Sequence, residues 1–280
     1  MKARVLAFIL AMLTAACGRE DGNKAPLRVG MDFTYPPFQM FRKMPPGPPV
    51  ATDGLHRPLD GSMWEMNGVS VQLADALAKD LGQPLQIVAI PFRDLIPALR
   101  SGRIDLIVSS LSITDKRREQ MDFSDLYVRT GLAMLVRHNS PIASLDDLSK
   151  PGRKALVRQS TSSHEYVKSR LASDSIEALQ ESGIAERMVM EDPDAAYVND
   201  QLMLWHMHQR LPTRTRIIPK LLNDESWGIG IRKGDDAMRR RVNAFLSKFR
   251  ADGGFRRISD RFLAEEQKFL SDEGLPPFFP

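Results

Sequence analysis

The stretch that most constrains the fold is residues 104–125, IDLIVSSLSITDKRREQMDFSD. It starts as an apolar run over 104–108, short enough for a buried strand. The run breaks into the hydroxyls Ser109, Ser110 and Ser112, followed by Thr114. A cationic turn, Asp115-Lys116-Arg117-Arg118, then leads to Asp122-Phe123-Ser124. A buried strand that ends in hydroxyls and an arginine makes an anion site at its carboxyl end, the edge where open α/β sheets bind ligands. An arginine fork takes a carboxylate through two parallel hydrogen bonds, and hydroxyls and backbone N–H groups fill the remaining lone pairs. The alternative for this window alone is a loop with a helix cap at Thr114 and a solvated run of charge.

A second strand-then-hydroxyl motif follows at 154–163, where Gln159-Ser160-Thr161-Ser162-Ser163 opens a helix expected to run to Leu171. A helix N-terminus rich in hydroxyls attracts an anion and offers free N–H groups. Helical spacing over 69–81, closed by Gly82, and a helix over 91–101 between Pro91 and Gly102 alternate with strands at 27–31 and 85–90. Two more amphipathic helices are expected over 236–250 and 254–263. A chain of 280 residues suits two domains or one large one. The formal charge of +4 is scattered, and its one basic run, Arg239-Arg240-Arg241, falls in an amphipathic helix without interleaved aromatics. That pattern is a solvated face, and nucleic acid is not an expected partner. The sequence carries no GxxxxGK[ST], HExxH, CxxC or GxSxG motif. His206 and His208 are two apart in a predicted helix and point in different directions, a poor metal pair. No metal, cofactor or catalytic nucleophile is expected.

SSLSIT-x-x-R followed by DFS resembles the signature of the polar-amino-acid solute-binding proteins of bacterial ABC importers, the bacterial extracellular solute-binding protein family 3. Other pieces stand in the same order: LRVGMDFTYPPF at 27–38, LADALAKDLG at 73–82, PFRDLIPALRSGRIDLIVSS at 91–110 and WGIGIRKGD at 227–235. The resemblance implies a type II periplasmic-binding-protein-like fold, two α/β lobes joined by a two-segment hinge. Lobe 1 would comprise 27–128 and 228–263, and lobe 2 would comprise 130–225. It implies a monomer that captures a small polar ligand, an amino acid, and delivers it to an ABC transporter permease. Arg117 would hold the ligand's carboxylate with Ser109, Ser110, Ser112, Thr161 and Ser162, and Tyr35 and Phe92 would wall its side chain. Asp32 stands where some relatives recognise a basic side chain. The ammonium would fall to Asp200 or, in a rival alignment, to Glu191. The family has glycine where this chain has Ser160. Two other readings remain open: a cyclohexadienyl dehydratase-like enzyme, with His164 or Glu165 as its acid or base, and a ligand-binding sensor or adaptor without an importer.

At the start of the chain, Lys2 and Arg4 precede an apolar run over 5–13, then Thr14-Ala15-Ala16 and the single cysteine, Cys17. The run is too short for a permanent membrane span and reads as an export signal. It resembles a bacterial lipoprotein signal, which implies a signal peptide at 1–16, a lipid anchor at Cys17, a tether at 17–26 and a place on the periplasmic side of a membrane. The alternative is a plain secretory signal. Residues 39–66, rich in proline and containing Asp53 and His56, are expected to form a long loop near the mouth of the cleft. Residues 264–280 would form a C-terminal tail, expected to be loosely packed from Ser271 to Pro280.

Overall fold

Strand Leu27–Met31 lies within a five-stranded sheet, and Leu27, Val29 and Met31 alternate onto one face, where all three are fully buried. It pairs in parallel with Leu85–Ala89 on one side and Leu106–Ile107 on the other. Gly230–Arg232 is the one strand running the other way, pairing antiparallel with Leu106–Ile107 on one side and with Met121–Phe123 on the other. The structure, a computed structural model, describes residues 24–44, 56–59, 62–180, 182–218, 220–272, 274 and 277–280.

Alternation over 106–108 separates two layers. Leu106 and Val108 join Val29 and the helices Val69–Leu81, Asp236–Ala251 and Gly254–Phe262 on one face. Ile107 faces Leu95 and Leu99 of the short helix Leu95–Arg100 on the other. Helix Val69–Leu81 stops at Gly82, whose φ of +64° is the left-handed turn that glycine adopts without strain.

The second lobe repeats the plan. Ile176–Leu179, Lys154–Arg158 and Ala195–Asp200 run parallel, and Leu132–Arg137 lies antiparallel between Ala195–Asp200 and Thr215–Ile218. Ala195–Asp200 is buried along its whole length, with Ala196 and Val198 in one core and Ala195 and Tyr197 in the other. Two strands link the lobes: Val128–Thr130 pairs antiparallel with Glu225–Trp227. The hydroxyl loops at 109–114 and 159–163 therefore follow strands of different sheets and face each other, with Ser112 Oγ 3.3 Å from Ser162 Oγ.

Four local expectations are corrected. The region expected as a long loop contains a three-stranded antiparallel sheet, in the order Met40–Lys43, Ser62–Asn67, His56–Leu59. Its pairing joins segments separated by proline-rich sequence, so no local period announces it, and Phe41 secures it by stacking on Phe33 at 4.6 Å. Residues 45–55, with Asp53, lie outside the described residues, as do 1–23 with Cys17. The helix expected over 91–101 is a 3₁₀ turn, Phe92–Asp94, running into Leu95–Arg100. The helix expected to reach Leu171 ends at Lys168. The tail is not loose: Ala264–Asp272 is helical, and Phe278 is 1% exposed in the first lobe's core. Arg129 N donates to the Phe278 carbonyl at 2.8 Å, and Phe279 stacks on Phe255 at 4.9 Å. Aromatic end residues fill apolar surface that the two preceding helices leave uncovered.

Phe278→Ala is therefore expected to destabilise the fold by about 3 kcal/mol, as loss of a buried aromatic does. Urea unfolding followed by far-ultraviolet circular dichroism checks this, and an unchanged midpoint would mean that the tail contributes no packing.

Candidate functional site

The loops at the carboxyl ends of four strands meet between the lobes. On the first lobe, Thr114 caps the turn Asp115–Arg118 by accepting from Arg117 N at 3.2 Å. That turn sends the Arg117 guanidinium back beneath its own loop. Nη1 donates to the Ser112 carbonyl at 2.7 Å, and Nη2 reaches across the cleft to the Ser160 carbonyl at 3.2 Å. Burial lowers its pKa to about 10, opposed by the fields of Glu225 and Glu165, so it remains a cation at neutral pH. On the second lobe, Thr161 caps helix Ser162–Lys168, accepting from His164 N at 3.3 Å. Ser160 before it has a φ of +63°, a left-handed backbone where glycine would be unstrained. Between the two loops the hinge residue Glu225 accepts from Ser112 Oγ at 2.6 Å and Ser162 Oγ at 3.0 Å.

Asp200 ends the buried strand Ala195–Asp200 and caps the helix that follows, accepting from Leu202 N at 2.8 Å. It also accepts from Tyr35 Oη at 2.7 Å, across the cleft, and from Thr130 Oγ1 at 2.6 Å. Burial raises its pKa to about 7 even though these donors favour the carboxylate, with Glu225 adding to the rise. The same burial, together with Asp200's charge, pushes the Tyr35 hydroxyl well above its ordinary value. The Tyr35 ring packs edge-on against Phe38 and Trp227, each at 5.6 Å.

A third group of residues occupies the far end. Asp32 follows strand Leu27–Met31, its backbone N–H donating to Ser109 Oγ at 2.9 Å. Its carboxylate accepts from Phe92 N at 2.8 Å and from the Arg158 guanidinium. Arg158 also donates to Thr34 Oγ1 at 3.0 Å. The guanidinium carbons of Arg117 and Arg158 lie 5.4 and 5.6 Å from the Phe92 ring centre.

Asp32, Tyr35, Phe92, Ser109, Ser110, Ser112, Arg117, Thr161, Ser162 and Asp200, the ten candidates named from sequence, all line one cavity. It encloses about 40 Å³ of free space, room for about three waters. Glu191, the rival to Asp200, is exposed at the end of helix Ser182–Glu191 and does not reach it. His164 and Glu165 do not line it either; Glu165 pairs with Lys116 at 2.8 Å in a neighbouring groove. Thr34, Gln39, Arg158, Asn199, Met203 and Trp227 line the cavity without having been anticipated. Arg158 could have been found: it is the last residue of its strand, directly before the hydroxyl loop, at the carboxyl edge where such sheets bind ligands. Glu225 carries no such signal, because its strand pairs only through the hinge. Among the described residues no group of three or more His, Cys, Asp or Glu side chains could hold a metal ion.

Residues 50–265 match the profile of the bacterial extracellular solute-binding proteins, family 3. The ABC transporter glutamine-binding protein GlnH of Bacillus subtilis (strain 168) is 28% identical over 269 residues, covering 94% of this chain and 96% of that protein. An ancestral arginine-binding protein, solved bound to glutamine, superimposes with a TM-score of 0.71 at 28% identity, over 86% of this chain and 98% of that one. AncCDT-1, an ancestral amino acid-binding protein described as a precursor of cyclohexadienyl dehydratase, gives a TM-score of 0.71 at 28% identity, over 85% of this chain and 95% of that one. The profile spans well over half of the sequence and the likeness in fold runs through both lobes: this chain belongs to the bacterial extracellular solute-binding proteins, family 3.

Proposed function

We propose that this protein captures a polar α-amino acid between its lobes and hands it to an ABC importer. The observation that carries this reading is a pair of buried, oppositely charged groups from different lobes, Arg117 and Asp200, which are 7% and 6% exposed and line the same cavity. Hydrogen bonds among the described residues use two of Arg117's N–H groups, leaving others for a ligand carboxylate. Ser110, Ser112 and the hydroxyl loop at Thr161 and Ser162 stand beside it, with Ser109 steadying Asp32. Asp200 takes the ammonium, held in place by Thr130 and Tyr35. Tyr35 and Phe92 wall the ligand's side chain. The names of the glutamine-binding relative and the glutamine-bound ancestral protein support an amino-acid ligand.

In this reading, residues 27–128 with 228–263 move as one lobe and 130–225 as the other, closing by rotation about the paired strands Val128–Thr130 and Glu225–Trp227. The protein works as a monomer, binding without catalysis, and the assay for that is the absence of prephenate turnover. It acts after export, on the periplasmic side of a membrane and anchored by lipid at Cys17. Among the described residues no helix is long and apolar enough to cross a membrane.

Arg117→Ala is expected to weaken the affinity for the amino acid that scores in a thermal-shift screen by about a hundredfold or more. Hydrogen bonds to a charged group are worth about 1.5–3 kcal/mol, and about 1.4 kcal/mol is tenfold. Arg117→Lys should restore only part of this, because a point charge lacks the planar fork. Arg118→Ala should bind almost normally. Titration calorimetry decides, and undiminished binding by Arg117→Ala would sink the carboxylate clamp.

Asp200 sets the pH dependence. Its folded pKa of about 7 lies above the unfolded value of about 3.9, so the free protein holds this proton more tightly when folded. The stability it contributes is fully present below about pH 4 and is lost as pH rises through about 7. Ligand binding runs the other way. An ammonium needs the carboxylate, so affinity should climb as pH rises from about 5.5 to 8, and Asp200→Asn should flatten that climb. Calorimetry at three pH values reads both, and affinity that falls with rising pH would exclude Asp200 as the ammonium partner.

Cys17→Ser should shift the protein from the membrane to the soluble fraction on cell fractionation. A wild type that is already freely soluble would rule out the anchor and leave a plain secreted protein.

A further inference from the structure

Basic residues are scattered along the whole chain, but their excess over acids is not. Residues 236–262 hold eight Lys or Arg against three Asp, so this stretch carries +5 where the whole chain carries +4. It folds as helices Asp236–Ala251 and Gly254–Phe262, which pack with Val69–Leu81 on the first lobe's sheet. Among the described residues, Arg240, Arg241, Arg256, Arg257 and Arg261 are exposed and take part in no ion pair. A face that charge merely keeps soluble intersperses both signs, whereas a field of one sign draws a partner of the other.

We infer that the groove between helices Val69–Leu81 and Gly254–Phe262 is a second binding surface of this protein, and that it seats on the phosphate headgroups of an anionic lipid bilayer. The choice of partner rests on the lipid-anchor reading given above. The groove combines two kinds of surface. Ala76, Phe249, Ile258 and Phe262 line it with apolar groups, and Lys79, Arg257 and Arg261 line it with cations. Asp75, the one acid in its lining, is already paired with Lys79 at 2.7 Å. Arg257 gives one Nη to the Asp252 carbonyl at 2.6 Å, and Arg261 lies 5.0 Å from the Phe262 ring centre. Each therefore keeps N–H groups for a phosphate oxygen. Guanidinium forks match phosphate, and cations set beside apolar side chains suit the boundary between headgroups and acyl chains.

The path of the chain brings this face towards the anchor. Lys24 Nζ lies beside Gly82, and the Ala25 carbonyl accepts from Gln83 Nε2 at 3.0 Å. Gly82 caps the helix that carries Lys79 in its last turn. Seven residues lead from Cys17 to Lys24, a span of at most about 25 Å when fully extended. A lipid on Cys17 keeps the end of that helix within this distance of the bilayer. Anionic headgroups then attract the cations of the groove over the last Debye length. None of the groove's lining residues lines the ligand cavity, so a protein seated this way leaves its cleft free.

The test is vesicle sedimentation with the mature chain, residues 17–280 carrying Cys17→Ser, which takes the lipid out of the measurement. Vesicles of equimolar phosphatidylglycerol and phosphatidylcholine are expected to bind it at least tenfold more tightly than vesicles of phosphatidylcholine alone. Raising the salt from about 0.1 M to about 1 M, which shortens the screening length from about 10 to about 3 Å, should release it. Arg257→Glu with Arg261→Glu should weaken binding at least tenfold. Arg187→Glu with Arg214→Glu, both exposed on the second lobe, changes the net charge equally and should leave binding unaltered. Should the first pair fail to fold by circular dichroism, Arg257→Gln with Arg261→Gln is read in its place, with a loss in the same direction. Equal binding to the two kinds of vesicle, equal losses in the two double variants, or tighter binding to duplex DNA than to the anionic vesicles overturns the inference. The anchor is read separately, by cell fractionation. Anionic-vesicle binding beside a freely soluble wild type removes the anchor and keeps the face; a membrane-bound wild type whose Cys17→Ser chain ignores the vesicles removes the face and keeps the anchor.

Discussion

Burying the Arg117 guanidinium is the constraint on which the cleft depends. A cation taken out of water needs partners for its N–H groups, or the fold loses several kcal/mol. One partner, the Ser112 carbonyl, belongs to its own loop; the other, the Ser160 carbonyl, belongs to the opposite lobe. The arginine therefore has both of these partners only when the lobes are together. Glu225 works in the same direction from the hinge, because its carboxylate accepts from Ser112 on one lobe and Ser162 on the other. Contact between the lobes and burial of a charge go together in this geometry.

Further polar contacts cross the cleft, among them Tyr35 to Asp200 and Arg158 to Asp32. All of these groups line the cavity. A ligand entering the cavity therefore exchanges hydrogen bonds more than it adds them, and its affinity is the difference between what it makes and what it replaces. The small free volume agrees with this: about 40 Å³ is enough for a few waters. The buried acid, with its pKa near neutrality, is the group most sensitive to such an exchange, since a bound cation would hold it ionised.

Much of the first lobe was legible in the sequence because its signals are local. A buried strand, a hydroxyl loop and a capped turn follow one another within 104–118, and the structure keeps them in that order. Helix Val69–Leu81 with its Gly82 stop reads the same way, from periodicity and one left-handed residue. What escaped was pairing at a distance. The three-stranded sheet around Ser62–Asn67 unites segments separated by proline-rich sequence, and the tail's Phe278 finds its place only against a core assembled from both ends of the chain.

The sequence by itself determined the family, the two strand-then-hydroxyl motifs and ten residues that come to share a cavity, because loops at strand carboxyl ends converge whenever such sheets form. It left Asp200 and Glu191 as rivals; in the fold Asp200 caps a helix inside the cleft and Glu191 lies in solvent. Only the tertiary structure showed that Asp32 is already paired with Arg158, 126 positions away. The charge on a residue is written in the chain, but whether that charge is free to meet a ligand depends on what folding brings beside it.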